Sequence, residues 1–177
     1  MGQKVNPIGY RTGVMLGWKS RWYAPKEEFS SLLLEDKKIR EFIKKHPTRN
    51  YAAAGIDRIE IERTRDEVKV LMMVARPGLI IGKKGQEIEL LQEELQNLTG
   101  RRINLKIEEV GRPEIQAQLV SEKIAEQVAK RASFRRTMKQ AMQRAMENGA
   151  KGVKLQLSGR LGGAEMARCE KGMEGSI

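Results

Sequence analysis

The stretch Arg76-Pro-Gly-Leu-Ile-Ile-Gly-Lys-Lys-Gly85 places two lysines between two glycines, directly ahead of an amphipathic run. Glycine lets another backbone approach the main chain closely. The start of a helix offers unpaired N–H groups, and Lys83 and Lys84 add positive charge. Together these groups suit a phosphate or a phosphodiester backbone, and a plain helix-capping turn with solvated lysines is the alternative. The G-x-x-G spacing decides nothing alone, since it recurs at Gly82/Gly85, Gly149/Gly152, Gly159/Gly162 and Gly172/Gly175. Only the first pair follows an apolar strand pattern and an apolar turn, and only it precedes an amphipathic helix pattern.

A nucleotide-hydrolysing P-loop needs G-x-x-x-x-G-K-[ST], so that a hydroxyl can hold magnesium. Here Gly78 and Gly82 stand one residue too close, and Lys84 occupies the hydroxyl position. The dinucleotide fingerprint G-x-G-x-x-G is absent as well. No nucleotide cofactor is expected.

A second basic constellation is Phe134-Arg-Arg-Thr-Met-Lys139. On a helix with Phe134, Met138 and Ala141 inward, Arg136 points away and Arg135 and Lys139 share a flank. Lys130, Arg131 and Arg144 extend the charge, and no acid intervenes until Glu147. Three cations on one rigid helix make a phosphate comb, which grips a backbone without reading bases. A merely solvated face is the alternative.

No catalytic constellation emerges. The acids between Glu87 and Glu94 alternate with apolar residues and read as exposed, solubilising positions. His46, the one histidine, precedes Pro47 and reads as a surface residue at a helix end. Cys169, the one cysteine, has no histidine nearby in sequence and reads as a spectator thiol. One Cys and one His build neither an internal disulfide nor a metal site, so no metal is expected.

Composition points to the class of partner. Lys+Arg number 34 against 23 Asp+Glu, a formal net charge of +11. Such an excess favours a polyanion, because neutralising phosphates releases counterions. A membrane surface would call for aromatics on amphipathic helices, and aromatics make up only 5%. No apolar run reaches a bilayer-spanning length of about 18 residues, and the N-terminus lacks an apolar signal core. A cytosolic protein that binds nucleic acid is expected, with neither a membrane nor a small-molecule substrate as partner.

The elements that must hold these sites follow from periodicity. Residues 1–24 read as an extended arm, with Trp18, Trp22 and Tyr23 either stacking on bases or packing on the domain body. Pro25 opens a helical region with Glu27 and Glu28 in its first turn, read either as one helix or as two broken near Glu35. Ala52 to Gly55 is a small-residue connector. Ile56, Ile59 and Ile61, then Val68, Val70, Met72 and Val74, predict two strands joined by a turn at Thr64-Arg-Asp-Glu67. After the glycine loop a helix is predicted through Ile88, Leu91, Leu95 and Leu98 to Gly100, then a strand through Ile103, Leu105 and Ile107. The order helix, strand, strand, loop and helix, strand makes an α+β unit. Gly111-Arg-Pro113 marks a boundary, beyond which Ile115, Leu119, Ile124 and Val128 predict one helix and Phe134 to Ala145 another. Val153, Leu155 and Leu157 predict a strand, and the glycine-rich tail from Ser158 shows no clear element.

The Ile80-Ile-Gly-x-x-Gly85 core resembles that of KH domains, and the element order is similar to their type II arrangement. Five blocks resemble, in order, the family of bacterial-type ribosomal protein number three of the small subunit. They are Met1-Gly-Gln-Lys-Val-Asn-Pro-Ile-Gly-Tyr-Arg11, Ala75 to Gly85, Phe134 to Lys139, Gly149-Ala-Lys-Gly-Val-Lys154 and Ser158-Gly-Arg-Leu-Gly-Gly-Ala-Glu165. The resemblance implies an arm over 1–24, a type II KH domain over 25–110 and a second α/β domain of two helices plus a sheet over 111–177. It implies a non-enzymatic, cofactor-free constituent of the small ribosomal subunit. Such a protein binds the rRNA of the subunit head, beside other head proteins, and lines the channel by which mRNA enters. It further implies that Gly82, Lys83, Lys84 and Gly85 face RNA, that Arg135, Arg136 and Lys139 grip mRNA, and that Arg131, Lys4, Arg11 and Arg160 add RNA contacts. The location implied is the cytoplasmic ribosome, with an organellar ribosome as the variant.

Two departures stand out. Cys169-Glu-Lys-Gly-Met173 replaces the family's usual Thr-Glu-Trp-Tyr run, and the family continues through further strands beyond the point where this sequence ends, at Ile177. A second domain incomplete relative to the family is therefore expected, with an open strand edge at Val153 to Leu157. The same loop would also serve a free KH-type RNA chaperone or mRNA regulator. A nucleic-acid phosphodiesterase is the enzymatic alternative, and it lacks metal-binding and general-base residues.

Overall fold

The period-two spacing of Val68, Val70, Met72 and Val74, and of Ile103, Leu105 and Ile107, becomes two strands of a mixed sheet in the computed structural model, which describes residues 2–46, 49, 51–65, 67–82 and 85–176. The chain divides between Glu109 and Val110 into two units. In the first unit, Asn6 Oδ1 accepts from the N–H groups of Ile8 at 2.9 Å and Gly9 at 3.1 Å, which starts α1, Pro7–Arg11. The first two dozen residues are thus not wholly extended. A short strand β1, Ser20–Arg21, follows, then α2, Lys26–Lys44, a 3₁₀ turn at Tyr51–Ala54, β2, Ile56–Arg63, and β3, Glu67–Val74. The unit closes with α3, Gly78–Ile81, α4, Gln86–Thr99, and β4, Arg102–Glu109.

The sheet runs β1-β2-β3-β4, antiparallel between β2 and β3 and parallel at both outer pairs. Val68, Val70, Met72 and Val74 are buried on one face of β3, as period two requires. With Ile59 and Ile61 of β2 and Ile103 and Leu105 of β4, they form the core against Ile39, Ile43, Ile80, Leu91 and Leu95 of the helices. The Thr64 N–H donates to the Glu67 carbonyl at 2.9 Å, closing the hairpin. Gly100, at φ 66°, caps α4 in the left-handed region.

Of the two readings of this region the single helix holds: α2 is continuous through Glu35. Leu32, Asp36, Ile39 and Ile43 form one buried stripe at helical spacing. Asp36 belongs to it because its Oδ2 accepts from the indole N–H of Trp22 at 2.8 Å and its Oδ1 pairs with Arg63. Trp22 also packs on Phe29, with ring centroids 5.2 Å apart, so this aromatic anchors the N-terminal segment to the body. Trp18 and Tyr23 remain exposed.

The second unit comprises α5, Ala117–Ala129, α6, Phe134–Glu147, β5, Gly152–Gly159, a 3₁₀ turn at Leu161–Gly163, and β6, Arg168–Gly175. The tail is therefore not without structure: β6 pairs antiparallel with β5 from Gly152↔Gly175 to Gly159↔Arg168. One edge of β5, expected to be open, is covered by that strand. Its partner offers little apolar signal, but Gly172 gives α6 room to approach. A Cβ there would lie 2.9 Å from Met142 Sδ. Ile115 stands in a turn ahead of α5 and does not belong to it. Among the described residues, no helix is long and apolar enough to cross a membrane.

Candidate nucleic-acid interface

β3 delivers the chain to the glycine loop through two backbone bonds, Ala75 N–H to Gly55 O at 2.9 Å and Arg76 N–H to Ala54 O at 3.0 Å. Pro77 then starts the single turn of α3, which buries Ile80 and leaves Leu79 and Ile81 exposed. Both glycines of the loop adopt positive φ, 68° at Gly82 and 80° at Gly85. Lys83 and Lys84, expected to carry the charge here, lie outside the described residues.

The two glycines differ in what they face. A Cβ at Gly82 would lie 2.2 Å from Glu87 Cγ, whereas a Cβ at Gly85 would meet nothing within 4 Å. Gly82 thus makes room for a side chain of α4, and only Gly85 leaves backbone open to an approaching ligand. Glu87 in turn pairs with Arg49, Nε to Oε2 at 3.0 Å, and Arg49 donates from Nη1 to Tyr51 Oη at 3.1 Å. That hydrogen bond to Tyr51, reinforced by the carboxylates of Glu87 and Glu94, holds the Arg49 guanidinium above its ordinary pKa. A cation outside the glycine motif therefore flanks it, and nothing in the spacing of the sequence marks it.

Two acids read as merely solubilising have partners instead. Besides Glu87, Glu94 Oε2 lies 2.5 Å from Nε2 of His46. The His46 side chain is 1% exposed, edge-on to Phe42 and Tyr51 at 4.9 and 5.1 Å. His46 is thus an interior packing residue, not a surface one. The helix-end Pro47 suggested exposure, but the aromatic rings on either side enclose the imidazole.

In the second unit, α6 presents the basic constellation. Thr137, Met138 and Ala145 are buried along one side, with Phe134, Ala141 and Met142 partly so. Arg135, Arg136 and Lys139 are all exposed. Arg131 precedes the helix in the left-handed region, φ 61°, where a side chain other than glycine's is uncommon. Arg135 is not free: Nη2 lies 3.6 Å from Glu170 Oε1, and Arg168 Nε lies 3.8 Å from the same oxygen. The Arg135 and Arg168 guanidiniums lie 5.7 and 5.3 Å from the centre of the Phe134 ring. Among the described residues, no carboxylate lies within salt-bridge distance, 4.0 Å, of Arg136 or Lys139. Arg168 and Glu170 escaped notice in the sequence because no element was expected there.

The remaining expected contacts are dispersed. Lys4 and Arg11 belong to the N-terminal segment and are exposed, with Arg11 Nη1 donating to Pro7 O at 3.0 Å. Arg160 donates from Nε to Ala164 O at 2.9 Å and so braces the turn between β5 and β6. Cys169 is exposed on β6.

Comparison with known proteins joins the two units into one identity. A KH domain family model matches residues 38–115, and the model described as "Ribosomal protein S3, C-terminal domain" matches residues 124–177. The small ribosomal subunit protein uS3 of Rhodopirellula baltica is 72% identical over the whole chain, which covers 75% of that relative. Those of Desulforudis audaxviator and Pelobacter propionicus are 51% and 52% identical, again over the whole chain, covering 79% and 82% of the relatives. With sequence similarity this extensive on both sides of the unit boundary, the chain belongs to the family of small ribosomal subunit protein uS3.

Proposed function

We propose that this constituent of the small ribosomal subunit, a structural protein and not an enzyme, binds the rRNA of the subunit head through its glycine loop and grips mRNA with α6 at the channel by which the message enters. The observation that carries the reading is the pair Arg136 and Lys139. Both are exposed, one helical turn apart, and without an acid partner among the described residues. A helix holds two such cations at fixed spacing, so they meet successive phosphates without first losing rotational freedom about the backbone. Contacts of this kind position a strand and carry no sequence information, as a channel that admits every message requires.

At the loop, Gly85 supplies open backbone, and Lys83 and Lys84 supply charge beside it. Single-stranded RNA is accepted by such a loop through its phosphodiester backbone. Lys4, Arg11, Arg131 and Arg160 contribute further contacts, and neighbouring head proteins complete the site. Primer-extension footprinting and cross-linking of the assembled particle test the assignment. The expected result is protection of head rRNA by the first unit and cross-links from α6 to mRNA. A chain that leaves the small subunit in a high-salt sucrose gradient would instead be a free RNA chaperone.

A further inference from the structure

One carboxylate oxygen, Glu170 Oε1, serves two guanidiniums, at 3.6 Å from Arg135 and 3.8 Å from Arg168. Neither distance is that of a well-formed charge-assisted hydrogen bond. All three side chains are part exposed, 73% for Arg135, 48% for Arg168 and 33% for Glu170, so the carboxylate is held loosely. Both guanidiniums are also held over the Phe134 ring, independently of the carboxylate.

We propose that Glu170 is an internal stand-in for phosphate, which occupies Arg135 and Arg168 in the free chain and yields both to the phosphodiester of an RNA strand lying along α6. Arg168, on β6, is thereby an RNA-binding residue that extends the cations of α6 onto the hairpin. The proposal rests on the reading of α6 as an RNA grip. Two guanidiniums against one carboxylate leave the cluster net positive, so it attracts a polyanion even while Glu170 is in place. A phosphate offers several acceptor oxygens and fits a guanidinium fork with two hydrogen bonds, which one shared carboxylate oxygen does not. Phe134 keeps the guanidiniums in position while the carboxylate leaves, so the exchange requires no refolding.

The test measures binding of the full chain to a single-stranded oligoribonucleotide of mixed sequence across a salt series. E170Q is expected to bind more tightly, with log K against log salt steeper by about 0.7 for each guanidinium recruited. E174Q, on the same strand but with no arginine partner among the described residues, controls for net charge and is expected to change less. R168A is expected to weaken binding by the native chain and to remove about half of the gain in the E170Q background. E170T, a strand-favouring replacement, is run alongside, so that loss of fold in one variant leaves the other readable. An E170Q or E170T chain that folds but binds no more tightly than E174Q overturns the proposal. The R136A/K139A chain separates the two readings: if it flattens the salt dependence while E170Q changes nothing, the RNA grip stands and the role of Glu170 falls. If R136A/K139A changes nothing, the grip itself falls.

Discussion

Arg63 Nη2 lies 2.5 Å from Asp36 Oδ1, and each side chain is only 3% exposed. The pair ties β2 to the middle of α2 and also holds Trp22, whose indole N–H donates to the other carboxylate oxygen. Glu35 joins it through Arg63 Nη1 at 3.0 Å. Removing one partner of a buried pair leaves an uncompensated charge, at a cost of about 3–5 kcal/mol. D36A is therefore expected to lose about 3 kcal/mol, the low end, because Glu35 still partners Arg63. The apolar double replacement D36L/R63M is expected to cost less than D36A, because no guanidinium is left buried and the orphaned Trp22 N–H is the main remaining loss. Both tryptophans, Trp18 and Trp22, lie in the first unit, so urea denaturation followed by their fluorescence reports that unit alone.

That same pair shows where sequence reading stops. β2, β3 and β4 were legible because alternation at period two is a local property, visible in Ile59, Ile61, Val68 and Val70 alone. The continuity of α2 was not, because an acidic pair such as Glu35-Asp36 looks like an exposed break until a distant arginine is known to bury it. β6 was missed for a related reason: Arg168–Gly175 carries a single large apolar residue, Met173, and is held by pairing to β5. The exposed cations of α6 were legible from helical geometry. Their partner Glu170 was not, since no periodicity links a helix face to a strand far along the chain.

Arg40 fastens β1 to the sheet. Its guanidinium donates to the carbonyl of Ile59, to Lys19 O at 3.0 Å and to Ser20 Oγ at 2.6 Å. Burial lowers its pKa, against the opposing pull of Asp36 and Glu60. R40A is expected to release β1, so that the Ile61 amide, bonded to Lys19 O at 2.9 Å, exchanges its hydrogen faster while the β3–β4 amides keep their protection. R40K is expected to restore little, because one ammonium does not span acceptors that the planar fork reaches together. Equal exchange at Ile61 in all three chains would show that β1 is held by its own ladder.

Gly82 and Gly85 are both at positive φ, but only Gly82 has a neighbour in the space a side chain would take. At Gly85, with ψ 2°, alanine incurs the left-handed cost of about 1–2 kcal/mol, whereas Gly82, with ψ −167°, occupies a region essentially reserved for glycine, where alanine costs about 1–3 kcal/mol. At Gly82 it must also displace Glu87, breaking the contact with Arg49. G82A is thus expected to destabilise the first unit more than G85A does. In the E87A background the cost of G82A is expected to shrink to its backbone part, which a double-mutant cycle on urea midpoints measures directly. Strict additivity of G82A and E87A would mean that the loop shifts freely and the overlap carries no energy.

Within α6 the exposed cations Arg135, Arg136 and Lys139 are not equivalent, and salt dependence separates them. Each phosphate neutralised on a single strand contributes about 0.7 to the slope of log K against log salt. Among the described residues Arg136 and Lys139 have no carboxylate partner, so R136A and K139A are each expected to flatten the slope by about that amount. Arg135 exchanges one anion for another, since Glu170 already sits 3.6 Å away, and the counterions it would release are correspondingly fewer. R135A is therefore expected to flatten the slope by less than either neighbour, although its side chain is exposed on the same helix. Measured by fluorescence anisotropy with one oligoribonucleotide, three equal decrements would mean that the Glu170 contact does not persist in solution. No decrement for Arg136 or Lys139 would mean that this face of α6 meets solvent or protein and not RNA.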